Sequence, residues 1–126
     1  MSPTDRPDVP ELCHRLHRET SAQAVLVCGP EGEILGHAGV PGELGDDALD
    51  AVGDATVAVL RGGEAPEPTS DADDHVSRAG TMHLCAAPLG NRAVLVVLFE
   101  DESSLTLVRL RMRRARELIL RSLEVG

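Results

Sequence analysis

The 126-residue chain has almost no aromatic side chains: Phe99 stands alone, with no Trp and no Tyr. It therefore offers no platform of rings on which bases stack and no aromatic-lined ligand groove. Lysine is missing altogether, all 12 basic residues being arginine. That excludes chemistry requiring a primary amine, such as a Schiff base or the phosphate-binding lysine of a Walker A loop. Long apolar runs are absent too, since the longest, Ala93 to Phe99, is far too short to span a bilayer. No basic segment followed by an apolar one opens the chain, so no secretory signal is read there. Cysteines are few and odd in number. Cys13, Cys28 and Cys85 lack CxxC spacing, and each sits in an apolar pattern where a reduced thiol serves as a small hydrophobe. A formal charge of -9 repels polyanions, so nucleic acid is not an expected partner. Together these absences describe a cytoplasmic protein that neither inserts into membranes nor binds nucleic acid.

What is present is a core-forming composition, 42% hydrophobic, drawn from Leu, Val, Ile and Ala. The length suits one domain with one real core and no staple of disulfide or metal. Residues 1–8 read as a flexible tail and residues 9–126 as the domain. Val9, Leu12, Cys13 and Leu16 recur at helical spacing, with Pro10 tolerated in the first turn, which predicts a first helix ending near Thr20. Ala22 to Cys28 and Glu33 to Ala38 are short strands joined by the turn residues Gly29-Pro30-Glu31-Gly32, a hairpin. A second helix is expected over Asp46 to Leu60, with an acidic first turn and Gly62-Gly63 at its end. The acidic, proline-containing segment Glu64 to Asp74 follows as a loop. Three strands come next: His75 to Ala79, polar and near an edge; Thr81 to Ala87, closed by Pro88; and Arg92 to Phe99, almost wholly apolar, whose run Ala93 to Phe99 is hence central. Ser103 or Ser104 is the expected cap of a last helix running to about Leu123. The order is α-β-β-α-β-β-β-α, an α/β chain of the α+β sandwich kind.

Helical projection of the last helix puts Leu105, Val108, Met112, Ala115, Ile119 and Leu123 in one core-facing arc. Leu107 and Leu118 fall on the other side among Arg109, Arg111, Arg113, Arg114, Arg116 and Arg121. This surface is either a solvated basic face, its arginine stems covering apolar neighbours, or a docking face for an acidic partner. The residues for the second reading are Leu107, Arg111, Arg114, Leu118 and Arg121. On the second helix, acids occupy one side, and the apolar arc extends through Leu49, Thr56 and Leu60 past what one sheet covers. Gly53 and its small neighbours permit close approach of another backbone. Leu49, Gly53, Thr56 and Leu60 are therefore the expected homodimer interface, the alternative being that another helix of the same chain covers this arc. Charge is also segregated: Glu43 to Asp74 holds ten acids and one arginine, a net of -9, whereas Ser103 to Gly126 holds six arginines and two glutamates, a net of +4. Such asymmetry favours oriented contacts between unlike faces.

The chemical motifs are weak. His14 and His17 flank Cys13 on the first helix, but the other candidate ligands, His37, His75, His83, Cys28 and Cys85, lie singly, so no metal is expected. The Gly29 to Glu33 turn joins two strands and carries acids, unlike a phosphate cradle. Cys85 and His83 point to one face of a strand, yet nothing in sequence orients that histidine as a base. The expectation is no catalytic residue, no cofactor and no enzyme of its own. A small thiol enzyme or a metal protein using Cys85, His83 or the cluster of Cys13, His14 and His17 is the remote rival.

The element order, with Ala24 to Ala38 (AVLVCGPEGEILGHA) and Met82 to Arg116 (MHLCAAPLGNRAVLVVLFEDESSLTLVRLRMRRAR), resembles the Roadblock family of dynein-light-chain-like domains. Within it the chain looks most similar to the bacterial Mgl-type regulators of a Ras-like GTPase in cell polarity and gliding motility. The resemblance spans about Val9 to Leu123. It implies a five-stranded antiparallel sheet between one helix and two terminal helices. It also implies a homodimer built by joining sheet edges and pairing second helices. The implied role is that of an adaptor whose partners are a Ras-like small GTPase, a Roadblock paralogue or a polarity protein. A GTPase-activating protein is the alternative, since some Mgl-type members accelerate GTP hydrolysis by reshaping the GTPase.

Overall fold

The computed structural model describes residues 8–31, 33–39, 46–62, 75–79, 82–89 and 93–125. Its elements are α1 (Val9–Thr20), β1 (Ala24–Cys28), β2 (Ile34–Gly39), α2 (Asp46–Gly62), β3 (His75–Ala79), β4 (Met82–Leu89), β5 (Ala93–Phe99) and α3 (Leu105–Val125), the last preceded by a 3-10 turn at Glu102–Ser104. The tail expected over residues 1–8 lies outside the described residues except for Asp8. That residue caps α1, its carboxylate accepting the Glu11 N–H at 3.0 Å. At the other end Ser21 takes a left-handed conformation and its N–H donates to the His17 carbonyl, which closes the helix.

The five strands form one antiparallel sheet in the order β2-β1-β5-β4-β3. All seven residues of β5 are buried, as a central strand covered on both faces requires. Alternation sorts them into two cores. Ala93, Leu95, Val97 and Phe99 join Val25, Val27, Cys85, Ala87 and Leu89 beneath α1 and α3. Val94, Val96 and Leu98 join Ala24, Leu26, Cys28, Leu84 and Ala86 beneath α2. The expected sandwich, one helix against two terminal helices across a sheet, is what forms.

Two local readings are corrected. The fourth strand does not stop before Pro88 but runs through it to Leu89. Pro88 pairs with Val94 in β5, while β3 begins opposite Ala86, so no β3 residue pairs with Pro88. Its carbonyl accepts instead from Nε of Arg116 at 3.0 Å, on the side where a missing N–H costs no ladder bond. The cap of the last helical segment is Asp101, not Ser103 or Ser104. Its Oδ1 accepts the Ser103 N–H at 2.9 Å and the Ser103 hydroxyl at 2.7 Å, and its carbonyl accepts the Ser104 N–H. A carboxylate with two donors outcompetes a serine hydroxyl for this role.

Candidate functional site

The helices divide the surface into two faces. α2 packs on β3, β4 and β5, whereas α1 lies on β1 and β2 and α3 on β4 and β5 from the other side. The α2 layer is thus displaced toward the β3 edge of the sheet. Val52, Ala55 and Val59 carry α2 onto the core. Thr56, expected at an interface, points inward: it is buried, its hydroxyl donates to the Val52 carbonyl at 2.8 Å, and it hydrogen-bonds the Cys28 thiol.

Gly53 faces outward, and a methyl group built on it meets nothing within 4 Å. Val57, four residues on, is 48% exposed, and Ala58 is exposed as well. Leu49 and Leu60 lie four before and seven after Gly53, on its strip of the helix by spacing. Their side chains fall outside the described ones. The result is an open strip of small and apolar residues on the outer side of α2.

On α3 the core arc forms as expected over its described side chains, that of Leu123 falling outside them. Val108, Met112, Ala115 and Ile119 are buried, with Leu105 packed at the margin. Leu118, expected opposite this arc, is drawn partly into the same core, because α1 packs along the flank of α3. Leu107 remains 40% exposed. Arg114 and Arg121 are exposed, and Arg111 is half-buried. The expected docking set is therefore split: Leu107, Arg111, Arg114 and Arg121 stay toward the outer surface, and Leu118 does not. Sequence reading missed Leu110, the most exposed large apolar residue described, at 56%. Its signal was available, since Leu110, Arg113, Arg114 and Glu117 recur at i, i+3, i+4 and i+7.

The thiol and metal motifs come apart in the fold. Cys13 faces the core while His14, its neighbour, faces solvent. Among the described residues no group of three His, Cys, Asp or Glu side chains is placed to hold a metal. Burial pushes the Cys13 thiol up to about 12, and burial raises Cys28 as well. Cys85 is fully buried, and the His83 ring stacks on Phe99 with centroids 5.5 Å apart. No described helix is long and apolar enough to cross a membrane.

No family model and no curated protein matches the sequence. Solved structures do match. The gliding protein MglB of Thermus thermophilus is similar over 100% of both chains, with 24% identity and a TM-score of 0.69. An MglB with a tetrameric arrangement is similar over 98% of both chains, with 24% identity and a TM-score of 0.68. A Roadblock/LC7 domain of Streptomyces avermitilis is similar over 89% of this chain and 98% of its own, with 20% identity and a TM-score of 0.60. With its five-stranded sheet between α2 and the α1–α3 pair, the chain has the Roadblock fold in an MglB-like form.

Proposed function

We propose that the chain is a homodimeric, non-catalytic regulator in a bacterial Ras-like small-GTPase system of cell polarity or gliding motility. It would act in the cytoplasm on the GTPase itself, a Roadblock paralogue or another polarity protein. The likeness to the gliding protein MglB along the whole chain carries this reading. The open strip of α2 supports the dimer. Gly53 has room for a second backbone, and Val57 lies exposed beside it. Both sit on the outer side of α2, the helix displaced toward β3, and β3 is the terminal strand of the sheet, so helix pairing and edge pairing are both open to a second copy. Leu49, Gly53 and Leu60 make the contact, and Thr56 supports it from within. The tetrameric arrangement of one MglB agrees with self-association in proteins of this fold.

The thiol-enzyme rival is disfavoured by the burial of Cys13, Cys28 and Cys85, which raises the thiols of the first two. The test is light scattering of the purified chain, alone and mixed with the Ras-like GTPase of its source, followed by GTP turnover in the mixture. A dimer that joins the GTPase in a larger complex supports the reading. Accelerated turnover makes the chain a GTPase-activating protein within the same class. A monomer that binds no GTPase overturns it.

A further inference from the structure

The outer side of α3 carries a cleft of about 380 Å³ lined, among the described residues, by Leu110, Arg111, Arg113, Arg114 and Glu117. Its size falls in the range of sites that hold ligands or side chains of a partner. Three guanidinium groups face one carboxylate, so the wall is cationic. Arg111 is its unusual member: the Nε atom is buried and has no hydrogen-bond partner among the described residues. Nε itself is shielded from solvent, so a partner meets the accessible remainder of this half-buried side chain, and an anionic oxygen is what a guanidinium binds best. Apolar surface adjoins the charge, since Leu110 and Leu107 on the same helix are the exposed leucines noted above.

We propose that this cleft docks an acidic segment of a partner protein, one that gives a carboxylate to Arg111 and an apolar side chain to Leu110. The mixed chemistry of the wall selects that occupant. Free phosphate satisfies the arginines but leaves Leu110 and Leu107 in water. Glu117 on the wall opposes a doubly charged phosphate more than a single carboxylate. An extended anionic surface, such as a membrane, faces the whole chain and its net charge of -9. A segment seated in one cleft responds chiefly to charges within a Debye length, about 8–10 Å. The cleft lies on the face of the sheet opposite α2, so pairing through α2 leaves it open. The proposal goes beyond the dimer and GTPase reading and does not depend on it.

The test uses the full-length chain and fluorescence anisotropy. The probes are a labelled oligoglutamate peptide carrying one leucine, the same peptide without leucine, inorganic phosphate, and vesicles containing phosphatidylglycerol. The leucine-bearing peptide is expected to bind more tightly than its counterpart and to weaken as salt rises. Arg111→Ala and Arg114→Glu are each expected to weaken it about tenfold or more, the loss of one charge-assisted hydrogen bond or ion pair. Arg114 is exposed, so its variant tests the cleft even where Arg111→Ala disturbs folding. Absence of peptide binding overturns the proposal, as does binding indifferent to both substitutions. Phosphate or vesicles binding as well as the peptide also overturns it. No GTPase is in the assay, so its failure and the failure of the regulator reading are separate results.

Discussion

Gly53→Ala separates the two environments open to the outer strip of α2, because it changes their energies in opposite directions. Within one protomer the methyl group meets nothing within 4 Å, so it adds no clash. Replacing glycine by alanine in a helix interior then stabilises the protomer by about 0.5–1 kcal/mol, through the entropy of the unfolded chain and helix propensity. In a dimer that brings two such helices together, the same methyl enters a close backbone contact. Overpacking of this kind costs about 1–3 kcal/mol, and two-fold symmetry places one methyl on each side. Even at about 1 kcal/mol for each methyl, the dissociation constant rises roughly thirtyfold, since about 1.4 kcal/mol is tenfold. The measurements are sedimentation equilibrium for the dimer and urea unfolding for the protomer, the latter below the dissociation constant so that association does not add to stability. The expected result is a protomer that unfolds at higher urea and a dimer that dissociates more readily. A more stable protomer with unchanged or tighter association would refute the placement of a second backbone at Gly53.

Three further outcomes follow from the same coordinates. Ile119→Ala empties a fully buried site in the α1–α3 core and should cost about 2–5 kcal/mol in chemical denaturation, a large share of the roughly 5–15 kcal/mol of an ordinary domain. Ile119→Val should cost only about 1 kcal/mol. Cys13, Cys28 and Cys85 are buried, and burial raises the Cys13 and Cys28 thiols. Iodoacetamide at mildly alkaline pH should therefore label them only after denaturation, and rapid labelling of one in the native protein would revive the thiol-enzyme reading. The Ser103 hydroxyl and N–H hold the Asp101 carboxyl below its ordinary value of 3.8. A lowered carboxyl adds stability that is complete above the unfolded-state value and is lost as pH falls through the folded one. Asp101→Asn should flatten the acid limb of stability against pH, and an unchanged limb would remove the cap assignment.

Where each residue's neighbours along the chain determined its structure, the sequence was legible. The apolar spacing of Val9, Leu12, Cys13 and Leu16 set the buried face of α1, and the unbroken run Ala93 to Phe99 marked the central strand. What escaped depended on partners distant in sequence. Pro88 looked like a strand end because a proline cannot donate the N–H that a ladder bond needs on the side its nitrogen faces. Here β3 starts two residues short of it, and Arg116 on α3, far along the chain, takes up the carbonyl. The close seating of α1 on β2 was hidden for the same reason. A side chain on Gly36 would stand 2.8 Å from Cγ1 of Val9 and 3.1 Å from the Pro10 nitrogen, a contact between elements that no local pattern reports.

The candidate faces were legible in composition and less so in geometry, because a helical projection gives direction but not what stands there. Leu107 and Leu118 project together, yet Leu118 is partly buried against the core and Leu107 stays exposed. Thr56 projects toward the open strip, but Cys28 and the Val52 carbonyl receive it on the sheet side. A hydroxyl on a helix can turn to the carbonyl four residues earlier, here that of Val52 on the same helix, which holds Thr56 on the sheet side. The charge pattern was the more robust guide, since a net charge over a segment does not depend on which neighbour shields one residue. It led to α3 as a basic surface. Only the fold then showed that Arg111 buries an Nε without a hydrogen-bond partner among the described residues, and the cleft around it is what carries the docking proposal.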